Sequence, residues 1–197
     1  MLQVRGKVPL KIVLYRPSGN GLELPPSVTL WEFILPAVLS TYFEFGARFL
    51  KYRHKLPELF HTLDKDGKGK LDGRAIMHQL NLNNEEMVNR MIYIHDTDDD
   101  GTISMEELQQ MCSNFCDDRE SIIFKFFDED LDDKITVEDL VKSVEQIKQY
   151  MPLPLSNFKN NTLEALALQS IHVLTNKNYV DYEDFDKVFS VLGYKKD

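Results

Sequence analysis

The sequence predicts an all-α protein built from paired helix-loop-helix units, with short β ladders between paired loops and an N-terminal extension that carries a hydrophobic helix. Three observations predict this fold class. Acidic loops begin at Asp64, Asp96 and Asp128, so a unit repeats every 32 residues. Apolar and capping residues flank these loops as they flank helix ends. The 197 residues are enough for two small lobes, each with its own core.

Residues 1–55 form the N-terminal extension in front of the repeats. Alternating apolar side chains over residues 10–15 predict a short extended segment. Residues 28–33 repeat the second half of the later loops, so the interpretations are a vestigial unit or a simple capped helix. Thr29 and Glu32 have the spacing of a capping box at the start of that helix.

The helix that follows is rich in large apolar side chains over residues 30–50. A membrane span requires about 20 mainly apolar residues. Acidic and basic residues and Pro36 interrupt this run, so we do not expect it to cross a membrane. One alternative is a helix lying on an anionic membrane surface through residues 30–55, because basic residues follow its apolar part. In the alternative that we prefer, the apolar face of this helix covers the protein's own lobes.

The loop from Asp96 to Glu107, loop 2, has the spacing of a calcium-binding loop. Ca²⁺ takes roughly six to eight oxygen ligands, so a short loop must turn alternate side chains inward and bend sharply in the middle. Gly101 suits the bend because it has no Cβ, and Glu107 is long enough to offer both carboxylate oxygens. The expected ligands, with Thr102 acting through its carbonyl oxygen, are Asp96, Asp98, Asp100, Thr102, Ser104 and Glu107.

Loop 3, which begins at Asp128, departs from this pattern at two positions. Asp133 replaces the glycine of the bend, a change that Asp tolerates better than most residues. Asp139 replaces the final glutamate and is one methylene shorter, which should weaken Ca²⁺ binding and favour the smaller Mg²⁺. The expected ligands, with Lys134 acting through its carbonyl oxygen, are Asp128, Asp130, Asp132, Lys134, Thr136 and Asp139.

The other two loops lack important ligands. Loop 1, which begins at Asp64, has Lys68 and Ala75 where a carboxylate and the closing glutamate belong. Loop 4, which begins at Val173, has Lys177 at a position for an acid. We expect loop 1 to bind an ion weakly or not at all, and both loops to act as packing partners. The apolar residues expected to pair in short ladders are Leu71 with Ile103 and Ile135 with Val180.

These loops resemble the EF-hand calcium-binding superfamily, which includes calmodulin, troponin C and calcineurin B. Because such hands generally fold in pairs, the resemblance implies one EF-hand pair over residues 56–117 and a second over residues 118–193. It also implies a calcium-binding regulatory protein. Ion binding would change the exposure of an apolar groove, which takes a helix of a protein partner or the chain's own N-terminal helix.

Methionines on the first-lobe helices favour such an adaptable groove, although ordinary core packing explains each of them singly as well. They are Met77, Met87, Met91, Met105 and Met111. The alternative function is a structural EF-hand adaptor that holds its ion constitutively, with membrane association as a further option. A change of exposed apolar surface with Ca²⁺ separates a sensor from an adaptor.

Composition argues against other classes of partner and chemistry. The net charge of −9 would repel nucleic acid phosphates. The five histidines are scattered, without a nucleophile motif or a phosphate-binding glycine loop, so we expect no enzyme and no small-molecule substrate. Cys112 and Cys116 are too few for a disulfide framework. They predict reduced thiols and a cytoplasmic protein, with a peripheral membrane location as the variant.

Overall fold

The computed structural model of the protein describes residues 29–82, 84–147 and 160–191. The predicted extended segment over residues 10–15 lies outside these residues. The predicted all-α class is confirmed, and a short 3₁₀ helix, Arg53–Lys55, precedes the first loop unit. The α-helices of the described residues are α1 Trp31–Leu50, α2 Leu56–Leu63, α3 Gly73–Leu80, α4 Glu85–His95, α5 Met105–Asp117, α6 Arg119–Phe127, α7 Val137–Ile147, α8 Asn160–His172 and α9 Tyr182–Val191.

A single antiparallel bridge joins the loops of each pair. Leu71 and Ile103 exchange two backbone hydrogen bonds, both 2.8 Å long. Ile135 and Val180 exchange two bonds of 2.8 and 2.9 Å. All four side chains are buried. The predicted ladders therefore have the expected register, and each consists of one bridge.

Helix α1 packs on helices of both predicted lobes, on α3 and α5 of the first (residues 56–117) and on α7 of the second (residues 118–193). At its N-terminal end the Trp31 ring, 2% exposed, meets Phe127 and Phe185 edge to face at centroid distances of 5.5 and 5.7 Å. The Trp31 indole N–H donates to the Ser170 carbonyl oxygen at 3.0 Å. This end of α1 is therefore fixed in the second lobe.

The C-terminal half of α1 packs on Phe115 of α5. The Phe115 ring lies 4.7 Å from Tyr42, 5.2 Å from Phe45 and 5.9 Å from Phe49, measured between ring centroids. Gly46 allows this close approach, because a Cβ at that position would lie 3.0 Å from Phe115 Cδ1. The apolar face of α1 thus belongs to the same core as the loop helices.

By length and composition, α1 is the one helix among the described residues that would suit a membrane span. Its inner face is nevertheless buried in the protein, with Ile34, Leu35 and Val38 fully inaccessible. Arg48, in the basic part that follows, donates to the carbonyl oxygens of Leu80, at 3.1 Å, and Asn81 at the end of α3. These contacts favour the interpretation that α1 covers the protein's own lobes.

The predicted capping box at the start of α1 is wrong. Leu30 occupies the N-cap position and no side chain caps it. The Leu30 N–H instead donates to Ser170 Oγ at 2.7 Å. A tertiary contact therefore satisfies the N–H of the N-cap residue Leu30, in place of a local side-chain cap.

The five first-lobe methionines are buried or partly buried in the hydrophobic core, and the groove stays a prediction. Three of them are buried: Met87, Met91 and Met111. Met77 and Met105 are partly buried and pack against the same core. Composition alone does not distinguish methionines of a core from methionines that line a groove.

Candidate metal centre

Loop 2 brings three carboxylates together. An oxygen of each of Asp96, Asp98 and Glu107 lies within 4.8 Å of the other two. Gly101 takes the bend with φ of 79°, a left-handed conformation that glycine adopts without strain. Hard carboxylate oxygens held this close together suit a Ca²⁺ ion. The residues present therefore fit the ion that the spacing predicts.

Hydrogen bonds within the protein hold the Glu107 carboxylate at loop 2. One carboxylate oxygen accepts from the Thr97 N–H at 2.7 Å, and the other accepts from the Ser104 N–H at 2.9 Å. The hydroxyls of Thr97 and Ser104 donate to the same two oxygens. Burial raises the pKa of Glu107, but these hydrogen bonds outweigh it and set the pKa at about 2. The carboxylate is therefore ionised at neutral pH, as an ion ligand must be.

Thr97 and Ser104 orient the Glu107 carboxylate by donating hydrogen bonds to it, and Ser104 is also an expected ligand. Ser104 is the N-cap of α5 and forms a capping box with Glu107. Thr97 was not among the expected ligands, and its contribution is to orient the closing glutamate. The signal for it in the sequence was a hydroxyl residue directly after the first ligand.

Backbone N–H groups also orient the aspartates of loop 2. Asp96 accepts from the N–H groups of Asp100 at 3.2 Å and Gly101 at 2.6 Å. Asp100 accepts from the N–H of Thr102 at 2.9 Å and from its hydroxyl. The Thr102 hydroxyl is thus bonded to Asp100. The backbone carbonyl oxygen of Thr102 stays the expected ligand.

Lys70 reaches from loop 1 to two expected ligands of loop 2. Its Nζ lies 3.0 Å from Asp98 Oδ2 and also contacts the Asp100 carboxylate. The bridge between Leu71 and Ile103 places the ammonium there, because Lys70 directly precedes Leu71. A metal ion that takes Asp98 and Asp100 as ligands therefore competes with this ammonium for their negative charge.

Replacing Lys70 by glutamine should tighten Ca²⁺ binding at loop 2, because the competing charge is removed. Exposed ion pairs are weak, so the expected gain is about two- to tenfold in Kd. Isothermal titration calorimetry measures it. Lys68→Gln is the matched control, since that ammonium pairs with Asp66 inside loop 1. Equal affinities for wild type and Lys70→Gln would show that Lys70 does not compete with the ion.

Loop 3 also gathers three carboxylates, from Asp128, Asp130 and Asp132. The buried Asp128 accepts from the N–H groups of Asp133 at 2.9 Å and Asp132 at 3.1 Å. Burial raises the pKa of Asp128 to about 6 in spite of these bonds. Asp133 takes the bend with φ of 64°, the conformation expected of it. The first half of the loop is therefore well formed.

Asp139 stands apart from this converging group in the described part of loop 3. Its carboxylate accepts from the N–H groups of Thr136 at 2.8 Å and Glu129 at 3.3 Å, so it closes the loop as Glu107 closes loop 2. The Lys134 ammonium lies 3.0 Å from Asp132 Oδ2, and its carbonyl oxygen stays the expected ligand. Weaker Ca²⁺ binding at loop 3, expected from the shorter closing side chain of Asp139, stays a prediction.

Ammonium groups form ion pairs inside the two loops that lack ligands. In loop 4, Lys177 Nζ contacts Asp181 and lies 3.1 Å from the buried Asp184. In loop 1, Lys68 Nζ lies 2.6 Å from Asp66. Hydrogen bonds from the ammonium to Asp181 and Asp184 raise the pKa of Lys177. The lysines were expected to be lost ligands only, but each one balances carboxylates without a metal ion.

Comparisons with known proteins found a family model, a curated relative and a solved structure that are similar to this chain. A family model described as EF hand matches residues 95–112, which contain loop 2 and the start of α5. The chain is 23% identical over 151 residues to a rice protein, "Probable calcium-binding protein CML13" of Oryza sativa subsp. japonica, covering 72% of this chain and 84% of the relative. A solved structure, "Crystal structure of C-terminal domain of PF110239", matches with 20% identity and a TM-score of 0.37, over 81% of this chain and 89% of that chain.

Proposed function

We propose that this member of the EF-hand superfamily is a calcium-binding regulatory protein, in which the ion at loop 2 controls the docking of α1. The convergence of Asp96, Asp98 and Glu107 is the observation that carries the proposal. The matched hand and the name of the rice relative support calcium as the ion. Loop 3 is the second and weaker site, where Mg²⁺ competes more readily.

A short structural path leads from the ion to α1. Glu107 and Phe115 lie on the same helix, α5, about two turns apart. An ion held by Glu107 fixes the start of α5, and Phe115 packs on the aromatic side chains in the C-terminal half of α1. The Phe115 ring lies close against α1 at Gly46, where a Cβ would be only 3.0 Å from Phe115 Cδ1. A rotation of α5 should therefore change the position of α1.

The direction of the response follows from the state in which the ligands converge. The oxygens of loop 2 are close together while α1 is docked in the core. A ligand stabilises the conformation that binds it better. Ca²⁺ should therefore favour the docked state, and its removal should loosen α1 and uncover the apolar surface beneath it. A protein partner with an apolar helix is the proposed occupant of that surface.

Trp31 provides the test, because it is the only tryptophan in the sequence and is buried against the second lobe. We expect a chelator to shift its emission to longer wavelength and to increase the binding of a hydrophobic dye. Added Ca²⁺ should reverse both changes. Ion binding without any change in emission or dye binding would contradict the regulatory proposal.

The second candidate is the structural adaptor with a constitutive ion. It is favoured by the complete burial of Ile34, Leu35 and Val38, which makes α1 look like a permanent part of the core. An adaptor would bind Ca²⁺ at loop 2 and keep the same Trp31 emission with and without the ion. The emission experiment therefore distinguishes the two candidates.

A further inference from the structure

Arg90 connects the helix that enters loop 2 with the start of loop 3. The side chain lies on α4 and is only 6% exposed. Its Nη1 donates to the Glu129 carbonyl oxygen at 2.9 Å, and its Nη2 donates to the carbonyl oxygens of Lys125, at 2.6 Å, and Asp128. One guanidinium thus binds the last turn of α6 and the first two residues of loop 3.

The same contacts extend to the closing end of loop 3. The Glu129 N–H donates to Asp139 at 3.3 Å, and the Glu129 carboxylate accepts from Gln146 of α7 at 2.6 Å. Arg90 Nε lies 3.7 Å from that carboxylate, at ion-pair distance. Arg90 is therefore linked directly to the first expected ligand of loop 3, Asp128, and through Glu129 to the last one, Asp139.

The chemistry around Arg90 explains why a charge is buried there. Carbonyl oxygens at a helix C-terminus carry partial negative charge, which a cation complements. The planar guanidinium can donate several hydrogen bonds at once in a fixed geometry. A buried charge that is well paired resists displacement, because moving it would leave both it and its partners without hydrogen bonds. The contact should therefore transmit a movement of α4 to loop 3.

We infer that Arg90 couples the two ion sites, so that an ion at loop 2 tightens binding at loop 3 and the reverse. The inference rests on the proposed function, in that both loops hold an ion. Arg90 lies on the helix that ends directly before Asp96, and its contacts are made in the same conformation in which both sets of ligands converge. One conformation thus suits both ions, which gives positive coupling. Such coupling is reciprocal by thermodynamic necessity.

The test compares two-ion binding with the two single sites. Calorimetry gives the product of both Ca²⁺ association constants in the wild type. Glu107→Gln should leave loop 3 as the one working site, and Asp128→Asn should leave loop 2 as the one working site. The coupling factor is the wild-type product divided by the product of the single association constants of these two variants. We expect a factor of about five or more.

Arg90→Lys keeps a cation but loses the planar fork, and in this background the factor should fall below about two. Glu129→Gln removes only the ion pair between Arg90 Nε and the Glu129 carboxylate, so it should lower the factor in part and gives a second result if Arg90→Lys folds poorly. Arg74→Gln, at an exposed arginine of α3, is the matched control and should keep the wild-type factor.

A wild-type factor near one, or a factor unchanged in both Arg90→Lys and Glu129→Gln, would overturn the coupling. Two bound ions with no coupling would leave the proposed function intact. Failure of either loop to bind an ion in the wild type would overturn the coupling, and failure of loop 2 would overturn the proposed function as well. Coupled binding without a Trp31 response would overturn only the regulation of α1.

Discussion

Replacing Glu107 by glutamine is expected to abolish the tightest calcium site of the protein. The change removes a charge and one of two carboxylate oxygens from the residue that closes loop 2, while it keeps the shape of the side chain. The Kd should move from the range of EF-hand sensors, about 10⁻⁷ to 10⁻⁵ M, to about 10⁻⁴ M or weaker. Isothermal titration calorimetry should then record at most one weak site, at loop 3.

The adjacent Glu106 provides the matched control. Its side chain is exposed and lies outside the group of converging oxygens. Glu106→Gln makes the same chemical change one residue away and should leave the isotherm unchanged. A tight isotherm that survives Glu107→Gln would refute loop 2 as the principal site.

Replacing Trp31 by alanine is expected to be the most destabilising substitution in α1. The side chain is 2% exposed, packs on Phe127 and Phe185 and donates a hydrogen bond to Ser170. Truncation of a buried aromatic residue to alanine typically costs about 3–5 kcal/mol, from lost burial and the cavity that remains. Urea denaturation in the presence of Ca²⁺, followed by circular dichroism, measures this loss in the free energy of unfolding.

Phe43 is the control on the same helix, because its ring is 49% exposed. The Arg119 guanidinium carbon lies 5.7 Å from the centroid of this ring. Because such an exposed cation–π contact is weak, Phe43→Ala should lower the free energy of unfolding by less than about 1 kcal/mol. Similar losses for Trp31→Ala and Phe43→Ala would mean that α1 is not docked as the structure describes.

Features encoded in short stretches of sequence could be predicted. The loop register followed from ligand spacing, and both pairs at the bridges, Leu71 with Ile103 and Ile135 with Val180, form as expected. The left-handed conformations of Gly101 and Asp133 also followed, because the bend of each loop is a local requirement. The repeat thus predicted the bends of the loops and also which loops pair with each other.

Features that depend on distant residues could not be predicted in the same way. Lys70 lies 28 residues from Asp98, and the carbonyl oxygens that Arg90 binds lie 35 to 39 residues away. The Leu30 N–H bonds to Ser170, 140 residues along the chain, in place of a local cap. Sequence spacing does not determine such contacts, because the packing of the helices decides which side chains meet.

The most direct test of the central claim is hydrogen exchange of α1, read by mass spectrometry with Ca²⁺ and with a chelator. If the ion at loop 2 holds α1 in place, peptides from residues 31–50 should exchange more slowly with Ca²⁺. Glu107→Gln should remove that difference, whereas Glu106→Gln should keep it. Equal exchange of α1 in the two conditions, with Ca²⁺ bound at loop 2, would contradict control of α1 by the ion.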